Sequence, residues 1–498
     1  MSDGIAGAGR TLTRNAIWNA IGLAAPIPAA LIAIPALITG LGLERFGFLT
    51  IAWTLLGYFS LFDFGFARAT TKFLAERAYP DQPETTRRLF WTSFSTHTVL
   101  GLVGGGVLAL VTPWVEGALE VSAEFRPEVT TSLYILAASV PVIVVTAFAR
   151  GVLEGLQRFD LVNMVKLPAS LITYLGPLLA LAFTRQLPPV ILLISACRVA
   201  VLVSYLIMCF RLLPPIWRPM LPSLAVLRPL GALGGWMTAT SLLTPGLASV
   251  DRFVIGSVVS VAAVTAYSAP YEVVTKLWLL SSALLGVMFP AFSKFSADSG
   301  RLEGLYWRSV VILLAIAPPA TGLVVAFAPE FFRLWLGPSV PSEAGSVAQW
   351  LAVGVLVNVL AQVPLTILQA TGHADVTGKL QILQIPIYVI AVWFAAAHWG
   401  VVGVAMVWTM RAMVDAALMF GAAGRRLRLR GRPWHFQGLW RVVICDLLLL
   451  VWCWQGVRMF TPPPAVKAVV VCGSLVVFVW ATWRQIAHLV VSNEVTAR

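Results

Sequence analysis

The chain has 498 residues, 59% of them hydrophobic and only 11% charged, with a mean hydropathy of +0.85. Soluble domains carry roughly 25% charged residues, so a soluble multidomain enzyme is excluded. Lys and Arg outnumber Asp and Glu, giving a net charge of +13; a membrane protein holds such an excess in its cytoplasmic loops, and no nucleic-acid partner is implied.

A bilayer-spanning helix needs about 20 mainly apolar residues, and runs of that length recur from Ile17 to Ala487. They lack the alternation, roughly ten residues per strand, of an outer-membrane barrel. The first run follows Arg10 and Arg14 but continues to Ile38, too long for a signal peptide. It is read as a retained helix. Fourteen spans are predicted. The first six cover roughly 15–38, 46–70, 89–112, 130–150, 163–184 and 189–210. The next six cover roughly 231–256, 263–291, 305–328, 346–370, 378–398 and 401–421, and the last two 439–458 and 466–487. Between spans 7 and 8, residues 257–264 offer no clear turn signal.

With the N-terminus inside, only seven Lys or Arg fall in outward segments: Arg45, Arg126, Arg185, Arg252, Arg333, Arg458 and Lys467. Three lie within spans (Arg198, Lys276, Arg411), and the rest are inward, including Arg425, Arg426, Arg428, Arg430 and Arg432. Both termini are therefore expected in the cytoplasm. The loops are short. The longest outward one, from Pro113 to Val129, carries Glu116, Glu120, Glu124 and Glu128.

An internal repeat underlies this plan. Leu89-Phe90-Trp91-Thr92-Ser93 recurs as Leu305-Tyr306-Trp307-Arg308-Ser309, 216 positions on. Pro113 and Pro329, which are expected to end spans 3 and 9, share that offset. Asp160 matches Asp375, Tyr174 matches Tyr388, Arg198 matches Arg411, Trp18 matches Trp236 and Pro26 matches Pro245, at offsets of 213 to 219. The expected fold is an all-α polytopic membrane protein of two pseudo-symmetric six-helix lobes plus two C-terminal helices. The lobes are 1–212 and 231–424, joined by a cytoplasmic linker at 213–230, and residues 425–498 hold the basic loop and helices 13 and 14. Six is even, so the lobes share one orientation, and transporters of this plan place the substrate site between halves.

Ionisable residues at bilayer depth are functional candidates by default. Arg198 and Arg411 occupy equivalent positions in spans 6 and 12, and a guanidinium offers a fork of donors suited to phosphate. The structural alternative is an Arg satisfied by carbonyls or a carboxylate. Asp415, one turn from Arg411, favours that alternative there, whereas Arg198 has no acidic neighbour at three or four residues. Glu272 and Lys276 form an i,i+4 pair in the favourable order. Asp251 and Arg252 lie near the outer end of span 7, and Asp63 with Arg68 on span 2. Arg198, Arg411, Lys276 and Arg252 are the candidate substrate-binding cations, and Asp63, Asp251, Glu272 and Asp415 the candidate coupling or gating carboxylates, with H+ or Na+ as the coupling ion. Neutralised ion pairs are the competing reading for each. No cofactor is expected. The five Cys sit in apolar runs without a CxxC pair, and the five His show no ligand spacing, so no metal site is implied. Gly104-Gly105-Gly106 reads as close helix packing, and the Trp at span ends as interfacial belts.

Three segments carry a family resemblance: 46–76, with Tyr58, Asp63-Phe64-Gly65 and Lys72; 153–163, Leu-Glu-Gly-Leu-Gln-Arg-Phe-Asp-Leu-Val-Asn; and Asp251-Arg252-Phe253-Val254-Ile255-Gly256, followed by Tyr267 and Tyr271. Together they resemble the Wzx-type lipid-linked oligosaccharide flippases of the multidrug/oligosaccharidyl-lipid/polysaccharide (MOP) exporter superfamily, over roughly 10–490. The resemblance implies two lobes forming a V around a central cationic cavity. It implies alternating access to an undecaprenyl-pyrophosphate-linked repeat unit, moved from the cytoplasmic to the periplasmic leaflet of the bacterial inner membrane. A polysaccharide polymerase and glycosyltransferases would be the protein partners. The rival readings are a multidrug or cation antiporter of the same superfamily, and a flippase for lipid II or a teichoic-acid precursor. A membrane glycosyltransferase, polymerase or ligase would require a sizeable extramembrane loop, and a structural scaffold would not need buried charges.

Overall fold

A computed structural model describes residues 26–59, 82–156, 158–227, 250–296, 298–337 and 340–427, with scattered positions outside these ranges. The described residues are helical, without strands. In chain order the helices are α1 (Pro26–Leu41), α2 (Leu43–Tyr58), α3 (Pro83–Ala118), α4 (Arg126–Gly155), α5 (Phe159–Ala180) and α6 (Leu187–Leu212). There follow α7 (250–258), α8 (Val261–Val274), α9 (Trp278–Lys294), α10 (Ser299–Leu336), α11 (Glu343–Ala370) and α12 (Ala374–Arg426). Seven of these are long and apolar enough to cross a membrane by length and composition. The chain is a multi-pass, all-α membrane protein. Asp63, Arg68, Lys72, most of the Arg-rich loop, the first part of span 7, half of span 13 and most of span 14 lie outside the described residues.

α3, α4 and α10 run a turn or two beyond the apolar windows that predict them, because polar residues extend them past the hydrocarbon, whereas α5 starts four residues early and ends at Ala180, four residues short. Two predicted helix ends move for this reason. Pro113 and Pro329 lie inside α3 and α10 rather than ending them, near the C-terminal end, where a missing N–H and a ring clash bend a helix without stopping it. The loop expected to face outward consequently shrinks to residues 119–125. Spans 11 and 12 are the two halves of α12, which turns at Gly400 with φ of 60°, a left-handed conformation that glycine adopts without steric cost. The hidden turn between spans 7 and 8 falls at Val259 and Ser260, and the Ser260 hydroxyl accepts from the Ala263 N–H at 3.0 Å.

The chain divides into two compact units, Met1–Thr265 and Ala266–Arg498. Residues 250–265 join the first unit through backbone bonds: the Glu120 N–H donates to Gly256 O at 2.9 Å and the Val261 N–H to Glu120 O at 3.1 Å. Within that unit α4 is the central helix, packed between α3 and α6. Gly101 and Gly105 of α3 lie so close to α4 that a Cβ on them would sit 2.6 Å from Pro141 Cα and Ala137 O, the close approach expected of the glycine cluster. An aromatic core of Phe90 and Phe148, with Leu153 and Tyr205, fills the end where α3 begins.

In the second unit α11 holds the place of α4, between α10 and α12. The helix ends repeat: α10, α11 and α12 start and finish 214 to 218 positions after α3, α4 and the α5–α6 pair. Side-chain contacts repeat as well. Ser139 of α4 donates to Ser195 of α6 at 2.7 Å. The equivalent crossing in the second unit brings Gly354 of α11 against Thr409 of α12, whose hydroxyl donates to Trp350 O at 2.7 Å.

Candidate functional site

Arg198 lies on the stripe of α6 formed by Leu187, Ile191, Ile194 and Tyr205, all buried, and opposite the exposed Leu192, Val199 and Val203. Apolar residues at this helical spacing turn one face inward, and the arginine turns inward with them. It lines a narrow crevice between α5 and α6 with Ala169, Ile172 and Thr173. Among the described residues it makes no hydrogen bond or ion pair, so its half-buried guanidinium carries an uncompensated charge.

Arg411 occupies the equivalent place on α12, beside the buried Trp408, Ala412 and Ala416. Its guanidinium carbon lies 4.9 Å from the Tyr388 ring centroid and 5.8 Å from that of Trp408. Such contacts favour a cation by about 0.5–2 kcal/mol and more when desolvated. The Arg411 Nε is buried without a hydrogen-bond partner. The expected ion pair with Asp415 does not form among the described residues. Asp415 is buried and accepts instead from Gln384 Nε2 at 3.0 Å, because the rings hold the guanidinium away from it.

The other candidates divide. Lys276 and Glu272 form the predicted pair, at 3.6 Å, both partly exposed. Lys276 sits in a 3-10 turn, Thr275–Leu277, that interrupts span 8 just after Pro270; short 3-10 segments inside a helix mark strain or a hinge. Asp251 and Arg252 are buried within the first unit, where Arg252 Nη1 donates to Thr54 Oγ1 of α2. Arg252 thus ties α7 to α2. Asp63 lies outside the described residues. Sequence reasoning missed Gln384 and the Tyr388–Trp408 cage. Part of the signal was available: Gln384 is a polar residue inside an apolar span, and Trp408 stands one helix turn from Arg411.

The first unit has its own clamp at the end where α4 begins. Arg45, at the start of α2, donates to Glu128 at the start of α4 through Nε at 2.9 Å. Glu128 also accepts from the Leu187 N–H, the first of α6, at 2.9 Å. One carboxylate therefore ties three helix ends.

An all-α membrane chain built from repeated units, with a lone arginine on the inward stripe of matching helices, defines the class of a polytopic transporter. Solved structures share this fold. The lipid II flippase MurJ, in its inward closed conformation, matches at a TM-score of 0.74 with 12% identity over 95% of this chain and 100% of that one. An inward-facing multidrug resistance MATE family transporter of the MOP superfamily matches at 0.67 with 16% identity over 82% and 99%. The family model described as "Polysaccharide biosynthesis protein" matches residues 41–339, and the chain belongs to that family. Among curated proteins, the "Putative O-antigen transporter" of Shigella flexneri is 25% identical over 424 residues, 82% of this chain and 97% of that one. "Lipopolysaccharide biosynthesis protein WzxC" of Escherichia coli (strain K12) is 22% identical over 411 residues, 82% and 79% of the two chains.

Proposed function

We propose that this protein is a flippase for undecaprenyl-pyrophosphate-linked oligosaccharide repeat units, serving surface polysaccharide synthesis in a bacterial inner membrane. The observation that carries this reading is the pair Arg198 and Arg411. They hold matching repeat positions at bilayer depth, and neither has a carboxylate partner among the described residues. An uncompensated charge in hydrocarbon is costly, so the arrangement calls for an anionic ligand. A pyrophosphate headgroup bearing sugars supplies one, and it cannot itself cross about 30 Å of hydrocarbon. Each arginine, within its own unit, offers phosphate oxygens a fork of donors, polar surface replaces the hydration of the sugars, and the prenyl tail stays in lipid. The names of the two curated relatives support this substrate class over a cation antiporter, whose cargo would need carboxylates in place of free arginines.

Alternating access between two repeats, with both termini cytoplasmic, is the transport cycle we assign. Asp415 is the carboxylate we assign to coupling. Its single amide partner leaves it able to accept a proton or Na+. Activity of this kind moves a lipid without making or breaking its bonds, so the reading is of a transporter and not an enzyme. Deletion of the gene tests it: lipid-linked repeat units should accumulate on the cytoplasmic face. Normal surface polysaccharide in a strain lacking any redundant flippase would overturn it.

A further inference from the structure

At the end of the first unit where α3 begins and α6 finishes, a cleft of about 500 Å³ is lined by three prolines and by Glu84, Arg87, Trp217 and Arg218. Its floor is preformed. The 3-10 turn Pro214–Trp217 is pinned to α3 because Trp91 Nε1 donates to Ile216 O at 2.9 Å, and Ile216 is fully buried. Two further bonds hold the segment: Trp217 Nε1 to Phe210 O at 2.6 Å, and the Ser223 N–H to Thr92 Oγ1 at 3.1 Å.

The chemistry of the cleft favours an anion. Arg87 pairs loosely with Glu84 at 3.5 Å, and its Nε is buried without a partner. Arg218 is exposed and makes no hydrogen bond or ion pair among the described residues. Pro83 opens α3 at the same place, so the positive end of the helix dipole adds to the two guanidiniums. One carboxylate against two arginines leaves the cleft net positive, and the arginine fork matches phosphate oxygens.

The surroundings identify where that phosphate comes from. Trp217, which lines the cleft, and Leu221 and Leu224, which follow Arg218 in the chain, are 69%, 86% and 69% exposed. Tryptophan favours the headgroup level of a bilayer, and basic pockets at that level hold anionic headgroups. Exposed leucines three and six residues along the chain from Arg218 suit acyl chains and do nothing for a free ion. We propose that this cleft is a binding site for the phosphate of an anionic membrane lipid, held by Arg87 and Arg218 with its acyl chains against Trp217, Leu221 and Leu224.

The experiment uses the purified full chain in phosphatidylcholine nanodiscs, with phosphatidylglycerol as the probe and retained lipid counted by native mass spectrometry. The wild type should retain phosphatidylglycerol selectively. Arg87→Ala and Arg218→Ala should each weaken its retention roughly tenfold, the worth of one charge-assisted contact, and the double variant should lose the selectivity. Arg218→Lys should keep part of it, since the charge remains and the fork does not. Arg301→Ala, an exposed arginine of the second unit, should leave it unchanged. Thermal unfolding in phosphatidylcholine alone shows that each variant is folded. Undiminished selectivity in a folded double variant would overturn the proposal. So would inorganic phosphate displacing phosphatidylglycerol at comparable concentration, which would make the site one for a free anion.

Discussion

Gln384 donates its side-chain N–H to Asp415 at 3.0 Å, and in doing so replaces Arg411 as the partner of that carboxylate. The arginine, one turn away on the same helix, is held instead on the rings of Tyr388 and Trp408. A buried carboxylate and a nearby guanidinium that do not neutralise each other leave both groups free for other chemistry. Gln384→Leu should therefore strand a buried carboxylate and destabilise the protein by about 1–3 kcal/mol. Asp415→Asn should cost less, because an amide pair can still form. Thermal unfolding of the purified protein in detergent measures both.

The glycines of α3 give a steric contrast. A Cβ at Gly105 would stand 2.6 Å from Ala137 O, whereas nothing lies within 4 Å of one at Gly106. Gly105→Ala forces α3 and α4 apart and should cost about 1–3 kcal/mol. Gly106→Ala should be neutral or slightly stabilising, since alanine is the better helix former. The fraction of protein surviving a heat step in size-exclusion profiles separates the two.

At the N-terminal ends of α2, α4 and α6, removing Glu128 should hurt more than removing Arg45. Arg45→Ala breaks one bidentate pair, worth about 1–2 kcal/mol in this partly covered setting. Glu128→Ala breaks the same pair and also frees the Leu187 N–H that opens α6, a donor with no intrahelical partner. Glu128→Ala should lower the unfolding temperature further. The Arg45→Ala difference should shrink in high salt, which screens exposed charges.

The spans that fall among the described residues, and the recurrence of their ends, were legible in the sequence because hydrocarbon imposes length and apolarity on each helix, and duplication preserves spacing. That Arg198 stands without an ion-pair partner among the described residues was legible as well, since it is an arginine in an apolar run with no acidic neighbour. The partnership of Arg411 was not. Spacing alone puts Asp415 within reach, but the outcome depends on Gln384 and Tyr388 arriving from the other half of α12 across the turn at Gly400. The tie from Arg252 to Thr54 was not legible for a similar reason, since that hydroxyl stands 198 positions away. Periodicity reports which face of a helix turns inward. It does not report which side chain of another helix meets it there.

The rate at which a polyprenyl-pyrophosphate-linked oligosaccharide crosses the bilayer of proteoliposomes holding the purified protein tests the central claim most directly. The wild type should translocate it. Arg198→Ala and Arg411→Ala should each slow transfer by tenfold or more, on the order of one lost charge-assisted phosphate contact, while Arg→Lys at either position retains part of the rate. Equal rates in the wild type and in both alanine variants, at equal protein in the membrane, would contradict the account.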